Sequence, residues 1–398
     1  MIIKMSGKKI TKIVVAGGGF GGVKTALNFA NVPGFEVTLI SDNTHFEYHG
    51  ALYRSAVGHS PMEVVIPLKE IFASCTNVEI ILDSVGYIDH SKKIIASQTG
   101  QTYTYDIAVF ALGNIVNYFG IDGLETNTQT MHDIPSTIRL RGKLVDIFKK
   151  TSNKPCRIAV IGAGASGVEL AGEISNFATF IAKKYSIKPP QCKVILVDSS
   201  SRVLPLLSEK ASRKATKKLQ DLGVEIHLNI RVESCEENSV CLSAGNLDAD
   251  LIVWTAGSKP SSFYSKNPDV FTLNRNGKVV VDNQLQSQGH KNIYVIGDNA
   301  DTKYSGMAQT ALSDANFISK NIIAQHKNGK LKNYTPKKPL YVVTVGPKWA
   351  VVENGSRIRS GRAGWKTRRD ADLAIFRNFQ PYKQAIKTWR QAHRMSKI

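Results

Sequence analysis

The sequence is poor in cysteine, and its few cysteines follow no recognisable spacing. Five cysteines occur among 398 residues, at positions 75, 156, 192, 235 and 241, and none of them forms a C-x-x-C pair. An odd number without that spacing argues against a disulfide framework and against a zinc site, so we predict no metal centre. The pattern is typical of a reduced, intracellular protein.

Long apolar runs are also lacking. No stretch of the sequence approaches the roughly 20 apolar residues that a membrane-spanning helix requires. The first predicted strand begins within about a dozen residues of the N-terminus, which is too short for a signal peptide of about 15 to 30 residues. We therefore expect a cytoplasmic protein whose contact with a membrane, if it has one, is peripheral.

Acidic residues are scarce relative to basic residues. The chain has 32 Asp and Glu against 52 Lys and Arg, a formal net charge of +20. This excess favours a partner with negative charge, which could be an anionic lipid surface, a nucleic acid or a polyanionic ligand. The length is sufficient for two domains with their own cores, and a hydrophobic fraction of 42% is typical of a globular protein.

Two segments of the chain repeat one pattern of strand, glycines, helix, strand and acid. The first segment runs from KIVVA (residues 12–16) to FEVTLIS (35–41), and Asp42 follows it. The second runs from RIAVI to KVILV (193–197) and ends in Asp198. Each first strand is followed by G-x-G-x-x-G, which is made by Gly17, Gly19 and Gly22 and by Gly162, Gly164 and Gly167.

This pattern is typical of dinucleotide binding. The three glycines permit a tight turn, close approach of a pyrophosphate and close packing of helix on strand, while the helix N-terminus offers free N–H groups to the phosphates. The acid accepts hydrogen bonds from a ribose. A glycine-rich turn without a ligand is the alternative for one copy. Two complete copies predict two dinucleotides, with electrons passing from one to the other.

A third segment supports a flavin as one of these nucleotides. KNIYVIGDNA (291–300) predicts a strand that ends at Gly297 and Asp298, and a helix is predicted over 306–322. An aspartate at a strand end can bind the sugar-like chain of a flavin. The following helix can direct its positive N-terminus at the flavin ring, where negative charge collects on reduction.

These motifs resemble those of the two-dinucleotide flavoproteins, the glutathione-reductase-like superfamily. Within it, the sequence is most similar to the type II NADH dehydrogenases, the single-subunit NADH:quinone oxidoreductases. The resemblance is carried by residues 105–124, 197–205, 253–261 and 308–311. It implies an α/β fold with two Rossmann-like dinucleotide-binding domains, a discontinuous FAD-binding domain and a C-terminal tail of basic amphipathic helices.

The resemblance also implies domain boundaries and bound molecules. The FAD-binding domain would comprise residues 1–125 and 283–335, the NADH-binding domain 126–282, and the C-terminal region 336–398. One non-covalent FAD would occupy the first motif, and NADH, as substrate, the second. The cofactor-binding residues implied are Gly17, Gly19, Phe20, Gly21, Gly22, Asp42, Val85, Ala111, Gly113, Gly162, Gly164, Gly167, Asp198, Gly257, Gly297, Asp298, Ala308 and Gln309.

Three residues are predicted to take part in catalysis, namely Glu173, Glu169 and Gln309. The two glutamates lie four residues apart, so they share one face of the predicted helix and could contact the nicotinamide or relay protons. The alternative is that they are solvated or paired with lysines such as Lys183 and Lys184. Gln309, at the start of its helix, could bind the flavin or a quinone carbonyl.

At several positions the sequence departs from the family pattern. Ser41 stands where the family has the ribose-binding acid, and Asp42 comes one residue later. Ser313 and Ala315 replace a glutamine and a glycine of the quinone motif. Residues 43–60 contain no cysteine, which argues against a thiol reductase. Asp198 predicts a preference for NADH over NADPH, because an acid there repels the 2′-phosphate of NADPH.

The C-terminal tail, residues 366–398, contains nine Lys and Arg but only two acids. Apolar residues recur at helical spacing within it, at Leu373, Phe376, Phe379, Tyr382, Ala385, Ile386 and Trp389. This pattern favours helices lying on the anionic inner face of the plasma membrane, with the aromatic and aliphatic side chains in the interface and cations such as Lys383 and Arg394 on the lipid headgroups. The alternative is a helix packed on the protein itself or on a partner in a homodimer.

Two further functions remain open from the sequence. A soluble flavin reductase of the same fold would pass its electrons to another acceptor, such as ferredoxin. A nucleic-acid-binding flavoprotein would use the net charge of +20 on phosphate groups. The concentration of positive charge in a tail with aromatic spacing disfavours nucleic acid. The resemblance to the type II NADH dehydrogenases therefore implies an NADH:quinone oxidoreductase that does not pump protons and that works in a respiratory chain.

Overall fold

A computed structural model describes residues 10–150 and 155–391, and these form two compact units. The first unit contains residues 10–47, 65–115 and 259–339. The second contains residues 48–64, 116–258 and 340–391, apart from 151–154. These units group the chain differently from the predicted ranges, since 259–282 belong to the first unit and 48–64 to the second. The predicted division by bound molecule stays a prediction.

Short strands make up most of the elements. They are β1 (Thr11–Ala16), β2 (Phe35–Ser41), β3 (His45–Glu47), β4 (Val65–Pro67), β5 (Val78–Leu82), β6 (Val85–Asp89), β7 (Ile94–Ser97), β8 (Thr102–Thr104), β9 (Ile107–Phe110), β10 (Asn114–Val116), β11 (Cys156–Ile161), β12 (Cys192–Val197), β13 (Glu225–His227), β14 (Val232–Glu236), β15 (Ser239–Leu242), β16 (Gly245–Asp248), β17 (Leu251–Trp254), β18 (Ser258–Pro260), β19 (Ile293–Val295), β20 (Tyr341–Thr344), β21 (Ala350–Asn354) and β22 (Arg357–Gly361).

The helices vary from one turn to six. They are α1 (Phe20–Phe29), α2 (Leu52–Ala56), α3 (Leu68–Ile71), α4 (Leu124–Asn127), α5 (Ile134–Lys150), α6 (Ala165–Tyr185), α7 (Glu209–Asp221), α8 (Ala308–His326), α9 (Arg362–Phe376) and α10 (Tyr382–Gln391). Within the described ranges, no helix is both long enough and apolar enough to span a bilayer.

The first unit is built on a parallel sheet of five strands in the order β19-β9-β1-β2-β5. Residues Ile13–Ala16 of β1 are all buried, as expected for a strand covered on both faces. Helices α1 and α8 pack against each other in this unit. The sheet therefore brings the end of β1 and its glycines to the N-terminus of α1.

The second unit contains the equivalent parallel sheet, in the order β13-β12-β11-β17. Its core is formed by Ile158 and Val160 on β11, Ile174 and Phe177 on α6, and Leu219 on α7, together with other buried apolar residues. An antiparallel sheet, β20-β21-β22, and helix α9 also belong to this unit. The predicted α/β class with two parallel-sheet cores and C-terminal helices is confirmed.

The C-terminal tail contributes to the core of the second unit. Phe376 and Phe379 are buried, and the ring of Phe376 packs edge-to-face on Tyr48 at 5.9 Å. The expectation that these aromatic residues enter a membrane interface is therefore wrong, because their apolar surface is already covered by protein. On α10, Ala385 is buried and Trp389 Nε1 donates to the Arg369 carbonyl at 2.7 Å.

The exposed face of α10 is basic. Lys383, Lys387 and Arg390 are exposed, and so is the ring of Tyr382. Arg394, which the sequence also placed on this face, lies outside the described residues. The packed-helix alternative thus accounts for the apolar side of α10, and the cations remain available to a partner.

The position of a C-terminal truncation should decide whether the second unit folds. A chain ending after Gly364 loses Phe376 and Phe379, and removal of a buried phenylalanine typically costs about 3–5 kcal/mol. A chain ending after Gln380 keeps both. We expect the shorter chain to unfold at a much lower temperature, or not to fold, and the longer one to melt close to the intact protein. Equal melting temperatures for the two truncations, measured by circular dichroism, would contradict the assignment of α9 to the core.

Candidate functional site

The glycines after β1 form a turn that larger residues cannot occupy. Gly17 has φ of +114°, and a Cβ on it would collide with the carbonyl group of Ala111. A Cβ on Gly22 would collide with the carbonyl oxygen of Gly17. Around Gly19, however, no described residue other than its two chain neighbours comes within 4 Å of the position a Cβ would take. The turn is therefore closed on the protein side and open at Gly19.

The turn after β11 has the same geometry. Gly162 has φ of +115°, and a Cβ on it would lie 2.8 Å from the backbone of Ala256. A Cβ on Gly167 would collide with the carbonyl oxygen of Gly162. The space beside Gly164 is again open in the described structure. The repeat seen in the sequence is thus a repeat of backbone shape.

Both turns lead into a helix whose first N–H groups are not capped by a side chain. Gly19 is the N-cap of α1 and Gly164 the N-cap of α6, and neither cap makes a side-chain hydrogen bond. Neither helix has an acidic residue in its first turn. Free N–H groups at a helix N-terminus attract phosphate, so both turns fit the pyrophosphate of a dinucleotide.

The acids beyond the second strands are not equivalent. Ala16 pairs with Ile40 and Ile161 pairs with Val197, so Ser41 and Asp198 occupy corresponding positions beside the two turns. The Asp198 carboxylate accepts from the backbone N–H groups of two residues, 2.5 Å from Ala163 N and 2.6 Å from Ser200 N. It is therefore held at the glycine turn, where a ribose would lie.

In the first unit a serine replaces this carboxylate. Ser41 is buried, and its Oγ donates to the Asn43 carbonyl at 2.8 Å. Asp42 is exposed and accepts from Asn43 Nδ2 at 3.2 Å. The structure thus brings Ser41 to the turn and leaves Asp42 on the surface one residue further along. Binding of the FAD ribose by Asp42 stays a prediction.

Of the other cofactor-binding residues predicted for the first unit, Gly21 and Ala111 lie together at the turn, whereas no contact with the turn is described for Val85. Phe20 packs edge-to-face on Phe46, with ring centroids 4.9 Å apart. A Cβ on Gly21 would lie 3.3 Å from Ala111 Cβ, and Ala111 also closes the turn at Gly17. Gly113, two residues on, has φ of +67°. Val85 is buried at the start of β6.

A buried acid that the sequence did not single out supports the Gly297–Asp298 segment. Gly297 has φ of +72°, and its N–H donates to Asp314 Oδ2 at 3.0 Å. Tyr334 donates to the other oxygen of Asp314. Burial raises the pKa of Asp314 to about 6. The sequence did contain a signal for this contact, because Asp314 stands among apolar residues of the predicted helix. A charged residue in such a position is rarely buried without a hydrogen-bond partner.

Asp298 itself is half-buried, and Asn114 Nδ2 donates to its Oδ2 at 3.2 Å. Burial raises the pKa of Asp298.

Ala308 and Gln309 begin α8, where Gln309 is exposed. In the second unit, a Cβ on Gly257 would collide with the carbonyl oxygen of Asn117, so that strand end is closely packed. The roles of these residues remain predictions.

Of the predicted catalytic residues, Glu169 lies in a buried ionic network of the second unit. It is 6% exposed, and its Oε1 accepts from Arg368 Nη1 at 2.6 Å and from Thr344 Oγ1 at 3.2 Å. Its partner is therefore Arg368 on α9 rather than Lys183 or Lys184, which are both exposed. Burial raises the pKa of Glu169, and the charge of Arg368 opposes this effect.

Asp372 is the second carboxylate of the network. Its oxygens accept from Arg54 Nη2 at 2.5 Å, Tyr48 Oη at 2.8 Å and Arg368 Nε at 3.0 Å. Burial alone would raise its pKa, but the charges of Arg54 and Arg368 lower the pKa to about 2. The sequence analysis missed this network, because its members come from three distant segments of the chain.

Glu173 lies one helical turn after Glu169 and differs from it. Its side chain is half-buried, and its Oε2 accepts from Asn176 Nδ2 at 3.1 Å. Burial raises its pKa, while Asn176 and the charges of His59 and Arg54 lower it. A carboxyl group whose pKa is raised, and which is not fully buried, is suited to taking up and releasing a proton.

Comparison with known proteins agrees with this geometry. Residues 11–315 match the family model described as pyridine nucleotide-disulphide oxidoreductase. The type II NADH:quinone oxidoreductase Ndh of Mycobacterium tuberculosis is 31% identical over 338 residues, which cover 79% of this chain and 72% of the relative. That of Staphylococcus aureus is 27% identical over 331 residues, covering 78% of this chain and 81% of the relative.

Among solved structures, NDH2 of Plasmodium falciparum in complex with NADH superposes with a TM-score of 0.88 at 17% identity, covering 98% of this chain and 100% of that one. This likeness shows the fold. The sequence matches go further, and the chain belongs to the pyridine nucleotide-disulphide oxidoreductase family and, within it, to the type II NADH:quinone oxidoreductases. The resemblance predicted from the motifs is confirmed.

The open position in each turn gives a test of what the turn binds. Gly164→Ala places a methyl group in open space at φ of −71°, so we expect an unchanged melting temperature but weaker NADH binding, with Kd raised roughly tenfold or more, about 1.4 kcal/mol. Gly167→Ala should instead destabilise the fold by about 1–3 kcal/mol through its collision with Gly162. Gly19→Ala should weaken FAD retention and leave NADH affinity unchanged. Unaltered NADH affinity in Gly164→Ala, measured by calorimetry, would place the nucleotide elsewhere.

Proposed function

We propose that this chain is a FAD-dependent NADH:quinone oxidoreductase that does not pump protons. It takes hydride from NADH and passes two electrons to a membrane quinone. The observation that carries this proposal is the pair of glycine turns with the same geometry, each open where a pyrophosphate would approach the backbone. Membership of the type II NADH:quinone oxidoreductases supplies the reaction class.

The first unit would hold FAD. The open backbone at Gly19 and the N-terminus of α1 would bind the pyrophosphate, and Asp298 the ribityl chain. Asp298 is half-buried beside Asn114 and Gly297, as a group held in place for a ligand should be. FAD bound there would supply the capacity to accept a hydride and to release electrons to an acceptor. Ala308 and Gln309, at the N-terminus of α8, would lie on the flavin and the quinone.

The second unit would hold NADH. Gly164 and the N-terminus of α6 would bind its pyrophosphate, and Asp198 the diol of its ribose. The carboxylate would repel the 2′-phosphate of NADPH. Arg202 is the nearby cation that could reverse this preference, but its Nη2 donates to the Pro205 carbonyl at 2.7 Å. The arrangement therefore favours NADH.

The half-buried carboxyl of Glu173 would exchange the proton that quinone reduction requires. For each quinol formed, NADH supplies two electrons and one hydrogen nucleus as hydride, so one further proton must come from water. Glu169 is held in place by hydrogen bonds from Arg368 and Thr344, and would act by orienting this part of α6. Gln309 would bind the quinone or flavin by hydrogen bonding.

The exposed cations of α10 support peripheral contact with an anionic membrane on the cytoplasmic side. Lys383, Lys387 and Arg390 are exposed while Ala385 is buried, so the basic side of the helix is available. Each cation close to an anionic surface contributes on the order of 1 kcal/mol. The contact would be electrostatic, because the apolar side of the helix already packs on protein.

The proposed reaction can be followed in the visible spectrum of the purified protein. We expect a yellow protein with one FAD per chain, whose flavin absorption is bleached by NADH without oxygen and restored by a short-chain quinone. NADPH should bleach it more slowly. Reduction by NADH followed by reoxidation with ferredoxin but not with quinone would favour the soluble reductase. A folded protein that takes up no FAD would rule out both.

Charge reversal on α10 tests the membrane contact. The triple variant Lys383→Glu, Lys387→Glu, Arg390→Glu should bind anionic vesicles at least about 100-fold more weakly at low salt, and still reduce a water-soluble quinone at the normal rate. Reversal of Lys210, Lys214 and Lys217, three exposed lysines on α7, is the matched control and should bind as the wild type does. If both triple variants lose binding equally in vesicle sedimentation, net charge rather than α10 governs attachment.

A further inference from the structure

Arg54, on α2 in the second unit, has a hydrogen-bond donor to spare. Its side chain is 6% exposed, with Nη2 bonded to Asp372 at 2.5 Å and Nε 3.4 Å from the hydroxyl of Tyr53. The third nitrogen, Nη1, is buried and has no hydrogen-bond partner in the described part of the chain. Since an unsatisfied buried donor is costly, such a group calls for an acceptor.

The guanidinium cannot turn to find that acceptor among its neighbours. Asp372 fixes it by a charge-assisted bond, and Asp372 is itself held by Arg368 Nε at 3.0 Å and Tyr48 Oη at 2.8 Å. A guanidinium is also rigid and planar, so the direction of Nη1 follows from the bonds made by Nη2 and Nε. The missing acceptor must therefore be an oxygen atom that enters the site, from water or from a ligand.

The spare donor belongs to the surroundings of Glu173. Helix α2 packs on α6, which carries Glu173, and the positive charge of Arg54 lowers the pKa of that carboxyl group. The other charged groups that act on Glu173 are His59, beyond α2, and Glu169, on the same helix. Glu169 and Asp372 each accept a bond from an arginine, whereas Glu173 accepts from the neutral amide of Asn176.

We propose that Arg54 is a positioning residue whose Nη1 holds an oxygen atom beside Glu173, either that of a water molecule or the carbonyl oxygen of a quinone. The bound oxygen is then placed to exchange a proton with the Glu173 carboxyl group. This inference rests on the proposed function and specifies how its proton is delivered. Asp372, Arg368 and Tyr48 contribute by fixing the guanidinium.

The proton balance requires one such delivery in each turnover. The overall reaction is NADH + H⁺ + quinone → NAD⁺ + quinol. The hydride brings two electrons and one hydrogen nucleus, and the remaining proton leaves the Glu173 oxygen for the held oxygen atom. Glu173 then takes up a proton from water, which its half-buried side chain can reach. If the held oxygen belongs to water, that molecule passes the proton on to the quinone.

Two variants of Arg54 separate its charge from its hydrogen-bonding geometry. Arg54→Gln removes the cation, and Arg54→Lys keeps a cation but loses the planar fork. Arg213→Gln, an exposed arginine on α7, is the control. Turnover is measured with a water-soluble quinone and with ferricyanide, which accepts electrons without protons. We expect Arg54→Gln to reduce quinone about 100-fold more slowly, with ferricyanide reduction close to that of the control. Its melting temperature should fall, because buried Asp372 loses one of its two cationic partners, so turnover is compared at a temperature where both variants are folded.

Titration of Glu173 gives a readout that does not depend on turnover. The carboxyl band is followed by infrared spectroscopy against pH, with Glu173→Gln identifying the signal. Because the Arg54 cation lowers the pKa of Glu173, its loss should move the midpoint to higher pH in Arg54→Gln but not in Arg54→Lys. In Arg54→Lys, a raised KM for quinone would assign the held oxygen to the quinone, and a lowered kcat alone would assign it to water.

The outcomes against the proposal are distinct from those against the proposed function. Wild-type quinone turnover together with an unmoved midpoint in Arg54→Gln would overturn it. Equal loss of quinone and ferricyanide reduction would also overturn it, since a merely structural arginine would behave in that way. A wild-type protein that reduces ferricyanide but no quinone would refute the proposed function, and the infrared titration would still decide whether Arg54 governs Glu173.

Discussion

The two nucleotide sites depend on one steric constraint, the close approach of a helix to the turn before it. In each unit a glycine at the start of the helix lies against the carbonyl group of the first glycine, so closely that a Cβ could not be accommodated at Gly22 or Gly167. This packing fixes the helix axis relative to the strand and directs its uncapped N-terminus over the turn. The proposed phosphate site in each unit would be a consequence of that packing, and the glycine motif occurs twice in the sequence because both turns must meet the same steric constraint.

Much of this could be predicted from sequence because the constraint is local. Glycine at fixed spacing, a run of buried β-branched residues and an acid at the next strand end specify one backbone shape. The sequence analysis also noted that Ser41 replaces the ribose-binding acid of the family. The structure agrees with this alignment, because Ala16 pairs with Ile40 and the next residue, Ser41, therefore lies beside the turn. The support that Asp314 gives to Gly297 was not predicted, because the contact depends on how α8 packs.

In the C-terminal tail, the periodic pattern of apolar residues predicts helices but does not show what their apolar side contacts. Phe376, Phe379 and Ala385 follow helical spacing whether the apolar side meets lipid or protein, and the structure shows that they are buried in the second unit. The sequence could not distinguish these outcomes, because the surface that covers them comes from residues more than 300 positions earlier, such as Tyr48. The cations of α10 were easier to place from sequence than its apolar residues. A buried lysine without a partner would be unstable, so these side chains had to face solvent or a partner.

The buried network was beyond sequence analysis for the same reason, and its charges have a consequence for chemistry. Two arginines and two carboxylates, Arg54, Arg368, Glu169 and Asp372, balance one another in the interior of the second unit. Buried ion pairs of this kind contribute little net stability, because desolvation offsets their attraction. The main effect of these ion pairs is geometric, because each side chain holds its partner in one orientation. With those four charges paired, the protonation of Glu173 can change without leaving an arginine unpaired, because its partner is the neutral amide of Asn176. For that reason we propose Glu173, rather than Glu169 or Asp372, as the proton donor.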